Sequence, residues 1–122
     1  IFFSSHKPGS FFLEKYKLNI ETFNSTGCLE SLNLNLPTLL IFDKNYCRIR
    51  KESFKYFKLL QDAKILFYNP TEAAKFVNSN YNNIDKWWYS RKVQNAVKIF
   101  TNKFAKTTNN PYKFLKKLKK YI

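Results

Sequence analysis

A chain of 122 residues has room for one modest domain, which buries roughly two thirds of the surface its unfolded form exposes. Its 22 lysines and arginines against 8 acids give a formal net charge of +14. Only Arg48, Arg50 and Arg91 are arginine, and the crowding of Asn, Ile, Phe and Tyr is the usage of an AT-rich coding sequence, so the charge alone is weak ground for a nucleic-acid partner.

In chain order, Ile1 to Ser5 is expected as a short strand, and Lys7-Pro8-Gly9-Ser10 is loop chemistry, with Ser10 placed to cap a short helix through Tyr16. Leu18 to Phe23 alternates as a strand does, and Asn24 to Gly27 breaks it. From Thr26 to Leu34 the positions Cys28, Leu29 and Leu32 follow helical spacing until Pro37. Thr38-Leu39-Leu40-Ile41-Phe42 is then a continuous apolar run bounded by Asp43, the mark of a central strand buried on both faces.

The spacing predicts a long amphipathic helix over Tyr46 to Gln61, with Ile49, Phe54, Phe57, Leu59 and Leu60 inward and its cations, Arg50 among them, outward. Ile65 to Tyr68 reads as a short strand. Thr71 with Glu72 opens a helix whose inward face is Ala73, Ala74, Phe76 and Val77, and Ile84 to Ala105 reads as one further helix. After a break at Thr107-Thr108-Asn109-Asn110-Pro111, a basic helix is expected over Lys113 to Ile122. Alternation of this kind predicts an α/β fold, a Rossmann-like parallel sheet with flanking helices and a helical tail.

Cys28 and Cys47 lack Cys-x-x-Cys spacing and a histidine cluster, so two buried free thiols of a reducing compartment are expected, with no disulfide and no metal site. No run of 18 apolar residues occurs, so no membrane-spanning helix is expected, nor is a signal peptide. With no methionine and an opening of Ile1-Phe2-Phe3, the chain reads as a piece of a longer protein.

The stretch that carries chemistry is TFNSTGCLESLNLNLPTLLIF, Thr22 to Phe42. A turn leaving the carboxyl end of a parallel strand and entering a helix is where open α/β sheets hold ligands. Helix-start amides and the helix dipole favour an anion there. Asn24, Ser25 and Thr26 add side-chain hydrogen bonds, Gly27 permits close approach, and the carboxylate of Glu30, one turn on, suits a ribose or sugar diol. Ser and Thr are also ordinary N-cap residues, so spacing alone leaves ligand turn and simple cap both open.

The order Asn24-Ser25-Thr26, Leu29-Glu30-Ser31-Leu32 and Pro37-Thr38 resembles an element in the second domain of bacterial surface-polysaccharide transferases. The resemblance is to a family of transferases from leptospires and other bacteria, related to capsule and lipopolysaccharide glycosyltransferases. It continues through Phe42-Asp43, Arg50, Lys55-x-Phe57-x-x-Leu60, Ala73-Ala74, Ile84-Asp85-x-Trp87-Trp88 and Val93-Gln94, and spans Leu18 to Ala105.

That resemblance implies a GT-B architecture, two Rossmann-like domains with a nucleotide-sugar donor held by the second. Residues 1–82 would be a partial donor-binding domain, and residues 83–122 helices packing on it, ending in the basic tail 111–122. Ser25 and Thr26 would meet the donor phosphates, Gly27 would allow the approach, Glu30 would hold a hydroxyl, and Asn24 and Arg50 would complete the donor set. No cofactor is implied beyond the donor substrate. The general base would come from the missing N-terminal domain, so the fragment alone is expected to be inactive, and the expected setting is cytoplasmic, in cell-envelope polysaccharide synthesis.

His6 reads as a loop histidine, and Trp87-Trp88-Tyr89 as packing rather than a sugar platform. Residues 86–122 hold eleven bases and no acid. Lys113, Lys116, Lys117, Lys119 and Lys120 face away from Phe114, Leu115, Leu118 and Ile122, which suits both an anionic membrane surface, here the inner membrane, and a solvated terminal helix. The alternative to a transferase is a basic nucleic-acid-binding module. Scarce arginine and aromatics in no RRM or KH pattern speak against it.

Overall fold

The structure, a computed structural model, describes residues 16–105 together with Lys116 and Lys119. The strand expected at Ile1 to Ser5, the helix from Ser10, His6, the Thr107 to Pro111 break and the remainder of the basic tail lie outside the described residues. Three strands, β1 (Asn19–Glu21), β2 (Thr38–Ile41) and β3 (Leu66–Phe67), form a parallel sheet in the order β1-β2-β3. Asn19 stands opposite Thr38, and Leu40 opposite Leu66.

The chain crosses from β1 to β2 through helix α1 (Thr26–Asn33) and from β2 to β3 through α2 (Phe54–Asp62). It continues through α3 (Pro70–Asn80), α4 (Ile84–Trp88) and α5 (Arg91–Phe104). Parallel strands require such crossovers, and helices on both faces explain why β2 reads as an unbroken apolar run.

Alternate residues of that run feed two separate cores. Leu40 and Phe42 join Cys28 and Leu32 of α1, Phe57 and Leu60 of α2, and Val93, Val97 and Phe100 of α5 on one face. Leu39 and Ile41 join Phe67, Ala73, Phe76 and Val77 against α3 on the other. The period-two alternation of a strand thus divides one apolar sequence between two layers of helix. The α/β class with a parallel sheet, flanking helices and a helical C-terminal part is therefore present as expected.

Two helices end in the same device. At the end of α1, Asn35 adopts a left-handed φ of 54°. Its N–H donates to the Leu32 carbonyl at 3.1 Å, and the Leu36 N–H donates to Ser31 at 3.0 Å. At the end of α2, Lys64 has φ 63°, with bonds from its N–H to Gln61 at 3.0 Å and from the Ile65 N–H to Leu60 at 2.9 Å. Both are Schellman closures, which satisfy the last helical carbonyls and turn the chain at once into β2 and β3.

Two expectations are corrected. The helix expected from Tyr46 begins only at Phe54, after a single 3-10 turn at Lys51–Ser53. Asp43 is the cause. Its Oδ1 accepts from the Asn45 N–H at 2.8 Å, and its carbonyl accepts from Tyr46 and Cys47 at 3.2 and 2.8 Å, so a side-chain turn captures the backbone before a helix forms. Residues 43–50 are consequently a loop, and Phe54, expected inward, is 54% exposed.

The helix expected over Ile84 to Ala105 is two helices. Ser90 is extended, with ψ 150°, and restarts the chain at Arg91. The break serves the two tryptophans, whose indole N–H groups donate to backbone carbonyls of the loops entering the strands, Trp88 to Asn35 at 3.0 Å and Trp87 to Ala63 at 3.1 Å. Helix α4 therefore seals the amino end of the sheet. Gln94 of α5 locks the same corner through a reciprocal amide pair with Asn35, at 3.0 and 3.1 Å, and a bond to the Trp88 carbonyl at 2.8 Å.

Candidate functional site

With the amino end closed by α4, the carboxyl ends of the strands are where side chains from several loops converge. The turn after β1 runs from Thr22 to Asn24, and Ser25 caps α1 in an extended conformation, its Oγ accepting from the Cys28 N–H at 3.4 Å. The amides of Thr26 and Gly27, in the first turn, have no acceptor within the helix. Ser25 and Gly27 are half-buried, and Asn24, Thr26 and Glu30 are exposed.

Glu21, the last residue of β1, is half-buried against this turn. One of its carboxylate oxygens lies 3.3 Å from the position a Cβ on Gly27 would take, so a side chain at 27 would crowd the carboxylate. Burial, with a smaller contribution from the negative charge of Glu30, holds the Glu21 carboxyl above the usual carboxylate range. The Cys28 thiol beneath it is pushed up to about 12, first by burial and then by Glu21. Cys28 stays protonated at neutral pH and is no nucleophile. Cys28 and Cys47 are free thiols, and Cys47 is half-buried where full burial was expected.

Arg50 does not sit on a helical face. It ends the Asp43 loop with ψ 144°, and this places it with Arg48 and Asn24 around a small cleft of about 280 Å³ floored by Leu29, Phe57 and Phe100. The structure thus brings Arg50 to the Asn24 side of the α1 turn. A second cleft, of about 690 Å³, opens at the ends of β2 and β3, lined among others by Thr22, Asp43, Lys44, Asn45, Tyr68 and Glu72. Asn69 at its border, and not Thr71, caps α3, accepting from the Thr71 and Glu72 amides at 2.8 and 3.3 Å, with Pro70 at the first helical position.

Sequence reasoning missed Glu21 and Arg48. The signal for Glu21 is an acid closing a parallel strand six residues before a glycine that starts a helix; Arg48 becomes visible only once the Asp43 turn is known. Among the described residues no group of three or more His, Cys, Asp or Glu side chains is gathered to hold a metal, and no helix is long and apolar enough to cross a membrane. Trp88 is fully buried and Trp87 half-buried at the opposite end of the sheet, so both are packing residues as expected. Lys116 and Lys119 are exposed; Lys113, Lys117 and Lys120 lie outside the described residues.

A parallel sheet with helices on both faces, closed at its amino end and carrying polar loops at its carboxyl end, defines an α/β protein of the kind that holds ligands at the strand ends. Residues 3–118 match the family model described as LIC12162 family transferase, and the chain belongs to that family. No curated protein and no solved structure matches it.

Proposed function

We propose that this member of a transferase family is the donor-binding part of a GT-B glycosyltransferase, holding a nucleotide-sugar for cell-envelope polysaccharide synthesis. The observation that carries the reading is the β1-to-α1 turn, where Ser25, Thr26 and Gly27 present a helix start at the carboxyl end of the sheet with Asn24, Arg48 and Arg50 beside it. The helix start and the two arginines stabilise the diphosphate. Glu30 takes a hydroxyl of the ribose or the sugar. On this reading the general base comes from the N-terminal domain of the same enzyme, the enzyme is cytoplasmic and works at the inner membrane, and the lysines of the tail meet its anionic surface.

The test is nucleotide titration of the full-length protein carrying Ser25→Gly with Glu30→Ala. Glycine keeps most of the capping preference, so a loss of binding reports the missing hydroxyl and carboxylate rather than an unfolded helix. Affinity for nucleoside diphosphates falls tenfold or more with the melting temperature little changed; unchanged affinity overturns the reading.

A further inference from the structure

A third cleft, of about 810 Å³, lies between the Asp43 loop and α2. Ile49, Phe54 and Phe57 form its apolar side. Lys44, Arg48, Lys55 and Lys58 stand on its rim, and no acidic side chain lines it. Asp62 compensates only Lys58, at 3.0 Å in an exposed pair. Two of the cations are held over aromatic rings, the Lys44 Nζ 4.8 Å from the centroid of Tyr68 and the Lys55 Nζ 5.1 Å from that of Tyr56.

Such a cleft has two demands at once. Cations gathered without acids favour an anion, and a group that pairs with them gains most where water is partly excluded. Phe54 is 54% exposed beside the buried Phe57, so apolar surface is left open next to those cations. Besides the cations, the polar side chains that line the cleft are Cys47, Gln61 and Tyr68. An aliphatic chain asks for no polar partner.

We propose that this cleft binds an amphiphilic phosphate, a phosphate group on an aliphatic chain as in a lipid phosphate, with Lys44, Arg48 and Lys55 on the phosphate and Phe54, Phe57 and Ile49 along the chain. Arg48, Ile49 and Phe57 line both this cleft and the Asn24–Arg50 cleft, so the test rests on the residues the two do not share. Lys44, Lys55 and Phe54 lie outside the Asn24–Arg50 cleft.

The test is calorimetric titration of the full-length protein with dihexanoyl phosphatidic acid below its micelle concentration, beside dihexanoyl phosphatidylcholine, inorganic phosphate and AMP. Phosphatidic acid binds at least tenfold more tightly than the other three. Lys44→Gln with Lys55→Gln weakens it at least tenfold, and so does Phe54→Ala, each with the melting temperature of the parent. A control of equal charge loss on α5, Lys92→Gln with Lys98→Gln, leaves the affinity alone. The proposal is overturned if phosphatidic acid binds no better than phosphate or phosphatidylcholine, if AMP binds more tightly, or if the α5 control loses as much as the cleft variant.

Discussion

Glu21 brings a negative charge to the helix start that follows β1, and its environment resists that charge. Because its carboxyl is held above the usual range, the folded state binds its proton more tightly than the unfolded state does. Linkage then makes stability fall as pH rises from the ordinary carboxylate range through the raised value, and stay lower above it. Glu21→Gln is therefore expected to stabilise the protein at neutral pH, with the gain vanishing below the ordinary carboxylate range, as urea unfolding at the two pH values will show. Lys64 makes a different residue-scale prediction. Its φ of 63° is a conformation that costs a side-chain-bearing residue about 1 kcal/mol relative to glycine, and its ammonium, 5.9 Å from the Phe67 ring, gains little in return. Lys64→Gly raises the denaturant midpoint by an amount worth about 1 kcal/mol, whereas Asn35, in the same conformation, is held by its amide pair with Gln94 and loses stability on the same change.

At the scale of elements, α4, α5 and the loop entering β2 are joined by polar groups that have few alternatives. Removing the Gln94 amide leaves the Asn35 side chain and the Trp88 carbonyl without that partner, a loss on the order of 1 to 3 kcal/mol for partly buried groups. Gln94→Ala should lower the thermal midpoint accordingly, and Gln94→Glu, isosteric but able to donate neither bond and set against two acceptor oxygens at neutral pH, should lower it at least as far. None of this corner was legible in the sequence, because its bonds run between residues up to 59 positions apart. What periodicity does report is local. The apolar run of β2 and the helical spacing of α1 each depend on neighbours in sequence, and the structure has them, although α1 ends at Asn33 in the Asn35 closure before Pro37 is reached. The Asp43 turn defeats the same reasoning, since a single carboxylate diverts the first five residues of an apparently amphipathic pattern, 46–50, into a loop. The break at Ser90 has no glycine or proline to announce it, and the bonds around it, from the two indoles and from Gln94, are made to distant carbonyls or across the break itself. The candidate site divides in the same way: Asn24 to Gly27 and Glu30 are contiguous and could be picked out, whereas Glu21, Arg48 and the true setting of Arg50 depend on how α1 and the Asp43 loop fold back over the sheet.

For the whole molecule, the proposed function gives the two ends of the sheet separate tasks, and this separation is itself measurable. The amino end is closed by Trp88, fully buried, with its indole N–H on the Asn35 carbonyl. Trp88→Phe leaves that carbonyl unsatisfied and opens a void, which together cost on the order of 2 to 4 kcal/mol. Beside the β1-to-α1 turn, Arg48 and Arg50 are both exposed, so replacing both with Gln changes stability by about 0.5 kcal/mol at most. Measuring stability and nucleotide affinity on the same two variants of the full-length protein distinguishes the ends. Trp88→Phe is expected to lower the unfolding free energy and, at a temperature where the protein remains folded, to leave nucleotide affinity within twofold of the parent. Arg48→Gln with Arg50→Gln is expected to do the reverse, weakening nucleoside diphosphate binding at least tenfold and flattening its dependence on salt, because the ion contacts responsible for that dependence are gone. An affinity that follows Trp88 and ignores the arginines would move the ligand to the amino end and overturn the assignment of the β1-to-α1 turn.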